Sequence, residues 1–171
     1  DKGVEGSFRF LQKVSNISEL KFKKANEKDL HKRNLAIKNF TNLLEQFKFN
    51  LAIIELTKFA DYLTENPVKE SYEDLLKMLS PFAPHTAEEL WSKLKNKSLI
   101  SVEKWPEFDE KKINLKIEEH EKIIDKLIDD VNNIVKIVKE KNMEVSKAFL
   151  YVLPNELNLY KENHNSIEKR T

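Results

Sequence analysis

Ser80-Pro81-Phe82-Ala83-Pro84-His85-Thr86-Ala87-Glu88-Glu89-Leu90-Trp91 joins two apolar helical patterns through a double-proline break. Before it, Tyr72, Leu75, Leu76 and Leu79 recur at i, i+3, i+4 and i+7, one face of a helix. After it, Ala87, Leu90, Trp91 and Leu94 repeat that spacing. Pro81 and Pro84 lack N–H donors and disfavour helix in the residues before them, so the first helix is expected to stop near Ser80. Thr86 and Glu89 stand at capping-box spacing, which predicts a side-chain cap on the second helix. Trp91 lies on the apolar stripe and is expected to be buried between helices.

Upstream of this break the same period recurs. Val4, Phe8 and Leu11, with Phe10, Val14 and Ile17 beside them, predict a helix over 3–22 with a wide apolar face. Arg9 and Lys13, four apart, share a different face. Asn26 is placed to cap a second helix with the stripe Ile37, Phe40, Leu43, Leu44 and Phe47, from which Lys32, Arg33 and Lys38 fall outside. Phe49, Ile53, Leu56, Ala60 and Leu63 predict a third helix, ending near Asn66-Pro67. Downstream, residues 98–112 read as a linker in which Trp105 anchors the crossing chain to the bundle surface. Residues 116–141 form the longest helical pattern, with Ile124, Leu127, Val131, Ile134, Val135 and Val138 as its stripe. Val145 to Leu153 is β-branched and aromatic enough for a strand stopped by Pro154. The tail from 155 is polar and expected to fray. The fold class expected is therefore mainly α: an antiparallel helix bundle over 1–97, a linker over 98–112, and a small α/β extension over 113–171.

Composition bounds the function. Two Gly and five Pro in 171 residues suit long helices with few tight turns. The net charge is only +1, yet residues 1–50 hold eleven basic against six acidic side chains, an excess of five. With no cysteine there is neither a disulfide framework nor a thiolate zinc site. His31, His85, His120 and His164 show no metal-ligand spacing. Glu88 and Glu89 are adjacent and point apart, as do Asp129 and Asp130, so neither pair forms a catalytic dyad. There is no Gly-rich phosphate loop. No catalytic residue, metal site or cofactor is expected in this chain. No apolar run is long enough to span a bilayer, and the chain is expected to be a cytoplasmic, monomeric piece of a longer protein. His85 is expected to serve a structural hydrogen bond.

The proline stretch resembles the "PFAPHxAEELW" segment of the helical anticodon-binding domain of leucyl-tRNA synthetases. Valyl and isoleucyl enzymes carry a related segment, usually without the histidine. Two further stretches support the leucyl branch. Gly3 to Val14 is similar to the family's "GVEGxxRFLxRV", with Lys13 in place of the usual Arg. Ile37 to Ile53 tracks "IKKVTEDIExxxFNTAI", departing at Asn39 and Leu51. The family's upstream His-Lys pair falls on Asn34 and Leu35, so its RNA contacts do not carry over; His31 and Lys32, a turn earlier, are the candidates to replace it. Ser101 to Glu110 is similar to the family's "WPxxDE" exit from the bundle. The region beyond 113 looks more like the archaeal or eukaryotic-type extension.

The resemblance implies a class I ligase that joins leucine to its tRNA with ATP and Mg²⁺ in a catalytic domain outside this chain. The family's two nucleotide-binding signatures are absent here. The expected partners are tRNA, of the leucine type, and the catalytic domain of the same parent chain. Basic side chains that set a tRNA's register by phosphate contact carry no sequence code, and the candidates are Arg9, Lys13, Lys32, Arg33 and Lys38. Two alternatives stay open: the equivalent domain of a valyl or isoleucyl enzyme, and a helical protein–protein adaptor without RNA binding.

Overall fold

The computed structural model describes residues 2–140 and, beyond them, Phe149, Tyr151, Leu153, Pro154, 156–162, His164 and Ile167. Its helices are α1 (Lys2–Ile17), α2 (Glu27–Glu45), α3 (Phe49–Glu65), α4 (Lys69–Leu79), α5 (Pro84–Lys93), α6 (Leu115–Glu140) and α7 (Leu157–Glu162). No strand occurs among the described residues; one isolated parallel bridge joins Lys23 and Val68. The chain divides into two compact units, 1–113 and 114–171.

The first unit is the bundle. Val14 and Ile17 of α1, Ile37 and Phe40 of α2, Leu56 and Leu63 of α3, Tyr72 to Leu79 of α4, and Leu90 and Trp91 of α5 form one buried cluster. A side chain of this kind gains roughly 1.5–3 kcal/mol on leaving water, so the interlocking stripes, not the loops, hold the bundle together. Tyr72 is wholly buried, and its hydroxyl donates to the Val14 carbonyl at 2.9 Å, tying α4 to α1. Burial pushes that hydroxyl well above the ordinary tyrosine range.

The proline break behaves as its chemistry requires. α4 ends at Ser80, and the Phe82 and Ala83 amides both return to the Leu79 carbonyl. Pro84 then occupies the first turn of α5, where its missing N–H is no loss. The expected Thr86–Glu89 capping box does not form. Helix α5 begins at Pro84 with Ala83 as its cap residue and no side-chain cap, so Thr86 already lies inside the first turn. The working capping box is at α2: Asn26 accepts from the Asp29 amide at 2.8 Å, and Asp29 accepts from the Asn26 amide at 2.9 Å.

Several stripe positions expected inside are outside. Val4 and Phe8, in the opening turns of α1, are exposed. Phe47 sits in the sharp α2–α3 corner with φ 56°, a left-handed backbone that turns its ring to solvent. Phe49 and Ile53, in the opening turns of α3, are also exposed. Helix α1 stops at Ile17, five residues before the expected end, in a turn closed by Ser18 and Leu20 amides.

Residues 98–112 are a strap folded onto the bundle and belong to its compact unit. Trp105 stacks on Phe40 with ring centres 6.0 Å apart, and its indole N–H donates to Thr41 at 3.0 Å. The anchoring role expected of it therefore holds. The Trp91 indole, buried as expected, donates to the Ser98 carbonyl.

In the second unit, α6 buries Ile124 and Ile128, while Ile134 of the expected stripe is exposed. The strand expected over Val145 to Leu153 falls largely outside the described residues. The polar tail, expected to fray, contains the short helix α7.

Candidate nucleic-acid interface

Helix α1 places Arg9 and Lys13 on neighbouring turns of one face. Arg9 is highly exposed and pairs with Glu5, four residues back on the same helix. Lys13 pairs with Asp61 of α3, again at the surface. Exposed pairs of this kind are worth roughly 0–1 kcal/mol, so both cations are available to an external anion at little cost.

Helix α2 treats its cations differently. Arg33 donates from Nε to Asp74 at 2.6 Å, and Asp74 is nearly buried on α4. Burial raises the Asp74 carboxyl above its usual range, an effect opposed by Arg33 and Lys77. Removing Arg33 would leave that carboxylate short of a partner, which makes Arg33 a bundle cation first. Lys38 pairs with Glu110 of the strap at 2.9 Å and lies over the Phe108 ring. Lys32 is half-buried and engaged in an interaction of its own. The candidates whose partners are known are spread over different elements: Arg9 and Lys13 pair on the α1–α3 side, Arg33 with α4, and Lys38 at the surface with the strap.

His31 corrects an expectation. It is fully buried, so it cannot stand in for a family histidine that reaches RNA. His85, expected to make a structural hydrogen bond, is exposed at the start of α5 and makes none among the described residues. Asn34 shows what the family's histidine position does here. It is nearly buried, donates to the Leu30 carbonyl at 2.6 Å, and accepts the Asp109 amide of the strap at 2.6 Å. Glu88 likewise accepts the Ile100 amide at 3.0 Å.

Sequence reasoning missed Asp29 altogether. Its carboxylate is buried, closes the capping box, accepts the Tyr62 hydroxyl at 2.7 Å and pairs with Lys23 at 3.1 Å. The signal was the Asn26-x-x-Asp29 spacing, which marks a capping box as well as any Thr-x-x-Glu does.

Between α1 and α3 runs an open groove of about 360 Å³ lined by Phe8, Gln12, Asn16, Ile17, Leu20 and Thr64, with Arg9 and Lys13 also on its wall. Among the described residues no three His, Asp or Glu side chains gather as a metal site, and no helix is long and apolar enough to cross a membrane.

Against known proteins, the family model described as the anticodon-binding domain of tRNA ligase matches residues 27–149. The leucine–tRNA ligase of Prochlorococcus marinus subsp. pastoris is 33% identical over 84% of this chain and 20% of its own length. That of Borrelia garinii subsp. bavariensis is 36% identical over 85% of this chain and 18% of its own length. That of Mycoplasma mycoides subsp. mycoides SC is 36% identical over 65% of this chain and 15% of its own length. The chain thus spans a fifth or less of the length of these curated relatives.

Proposed function

The chain belongs to the family of anticodon-binding domains of tRNA ligases, and from that premise we propose that it is the tRNA-positioning bundle of a leucine–tRNA ligase. Its task is mechanical. A rigid helical unit holds phosphate-binding cations at fixed spacing, so that a bound tRNA presents its acceptor end to chemistry performed elsewhere. The leucyl branch rests on the proline stretch with His85 and on relatives that are leucine–tRNA ligases. In this reading the parent is a class I enzyme. ATP and Mg²⁺ act in its catalytic domain, the intramolecular partner of this bundle, and the protein works as a cytoplasmic monomer.

Arg9 and Lys13 are proposed as the principal phosphate contacts, because they lie one turn apart on α1 and pair only with exposed carboxylates, whereas Lys38, though its partner Glu110 is exposed too, also lies over the Phe108 ring of the strap. Lys32 adds to them. Arg33 and Lys38 contribute charge to the field but keep their structural partners Asp74 and Glu110.

The observation that carries the proposal is the family match over 27–149 on a bundle whose first helix presents exposed cations. The test is affinity of the chain for leucine tRNA across a salt series. Removing one phosphate-binding cation should flatten the slope of log K against log salt by about 0.7–0.9, so Arg9→Ala/Lys13→Ala should flatten it by about 1.4–1.8. An unchanged slope removes both residues from the interface. No preference for tRNA over an unstructured acidic polymer rejects the reading and favours a protein adaptor. Tighter binding of valine or isoleucine tRNA would move the chain to a sister enzyme. ATP–pyrophosphate exchange with leucine by this chain alone would overturn the placement of the chemistry elsewhere.

A further inference from the structure

We propose that the α1–α3 groove is a nucleotide pocket that receives one unstacked base of the bound RNA, with its flanking phosphates on Arg9 and Lys13. This rests on the tRNA reading above and goes beyond it, because phosphate binding alone needs no pocket.

The groove has the parts such a site requires. Phe8, Gln12 and Asn16 stand at i, i+4 and i+8 on α1, and Leu20 continues the row in the turn beyond the helix. Phe8 is 66% exposed and has no ring partner among the described residues, so one aromatic face is open to stacking. Ile17 and Leu20 supply an apolar floor. Gln12 donates to the Asn16 side-chain carbonyl at 3.0 Å. That bond leaves the Gln12 carbonyl as an acceptor and the Asn16 amide as a donor, a complementary pair for the edge of a base. The volume, about 360 Å³, lies at the small end of the range for ligand sites.

Charge selects the occupant. An apolar side chain of a protein partner would use the floor and Phe8 but gain nothing from two cations on the wall. A nucleotide uses all three: π-face, amide edge and phosphate. Glu5 and Asp61, the present partners of Arg9 and Lys13, are themselves more than half exposed. They can turn to water when a phosphate arrives. Val14 and Ile17 of α1 share the buried core with Leu63 of α3, so the two helices that form the groove are held together before RNA binds.

The test separates stacking from charge. Phe8→Ala removes an exposed ring, so the variant should keep the helical circular dichroism and melting midpoint of the parent. Its affinity for leucine tRNA should fall about five- to 150-fold, the range for one base–aromatic stack. The salt slope should not change, because no counterion is released by stacking. A panel of tRNAs carrying single abasic nucleotides should reveal one position whose removal weakens binding to the parent chain but not to Phe8→Ala. The proposal is overturned if Phe8→Ala binds like the parent, or if no abasic position couples to it. In either case an Arg9- and Lys13-dependent salt slope would leave the tRNA reading standing. Absence of any tRNA binding would remove both.

Discussion

Replacing Trp105 with Ala should release the strap without unfolding the bundle. Trp105 is 38% exposed, so about three-fifths of its surface is covered. Of the roughly 250 Å² a tryptophan can bury, that is about 150 Å², or about 4 kcal/mol at 25 cal/mol per Å². A collapsed denatured chain already covers part of this, which lowers the figure to about 2.5–3.5 kcal/mol. The Phe40 stack adds about 0.5–1.5 kcal/mol, and the bond to Thr41 about 1 kcal/mol. The ordering of the strap backbone costs the same in parent and variant and cancels from the difference. A loss of about 4–6 kcal/mol in strap closure is expected. Hydrogen exchange resolves it locally. The Asp109 amide is held by Asn34 and the Ile100 amide by Glu88. Asp109 should exchange about a thousandfold faster in Trp105→Ala, or reach the unprotected rate, while amides of α3 and α4 keep most of their protection. Lys38 loses Glu110 and Phe108 in the same event, so tRNA affinity should rise slightly at low salt. An Asp109 amide that exchanges within about threefold of the parent would refute the strap as a unit closed by Trp105.

Asp29→Ala should cost about 3–4 kcal/mol in urea unfolding, since it removes a helix cap worth about 1 kcal/mol and buried charged hydrogen bonds to Tyr62 and Lys23; a loss below about 1 kcal/mol would mean the carboxylate is solvated. Lys95 has φ 65° just past α5 and an exposed side chain, so Lys95→Gly should stabilise the chain by about 0.5–1 kcal/mol in the same assay, with destabilisation as the contrary result. Asp74 has a carboxyl raised by burial. Its protonated form is favoured by folding, so its titration contributes stability that is present below pH about 4 and lost as pH rises through the folded value. The stability difference between the parent and Asp74→Asn should therefore shift against the parent as pH rises above about 4. A difference that is flat with pH would contradict the raised carboxyl.

Local chemistry was legible in the sequence wherever one residue type acts alone. Proline at 81 and 84 has no N–H to give, so α4 had to stop and α5 had to start there. Asn26 capped α2 because its short amide reaches the free amides of a first turn. The apolar spacing of three and four set the buried faces of α3, α4 and α5, and Trp91 went inside with them. The proline stretch, with its histidine, also pointed to the family that the matched model bears out.

What the period does not contain is where a neighbour ends. Val4, Phe8 and Phe49 repeat as regularly as Val14 and Leu56, yet they keep about half or more of their surface in water. The fate of the cations was likewise a tertiary matter. Arg9 has its partner Glu5 one turn back on its own helix, but the partners of Arg33 and Lys38 cannot be read locally. Asp74 lies 41 residues from Arg33, and Glu110 lies 72 from Lys38. Only folding brings those carboxylates within reach, and with them decides which basic side chains are drawn into pairs with distant segments and which keep only a partner on their own helix. The α1–α3 groove has the same origin: its floor and wall are in one helix, but it becomes a cavity only when Thr64 of another closes its far side.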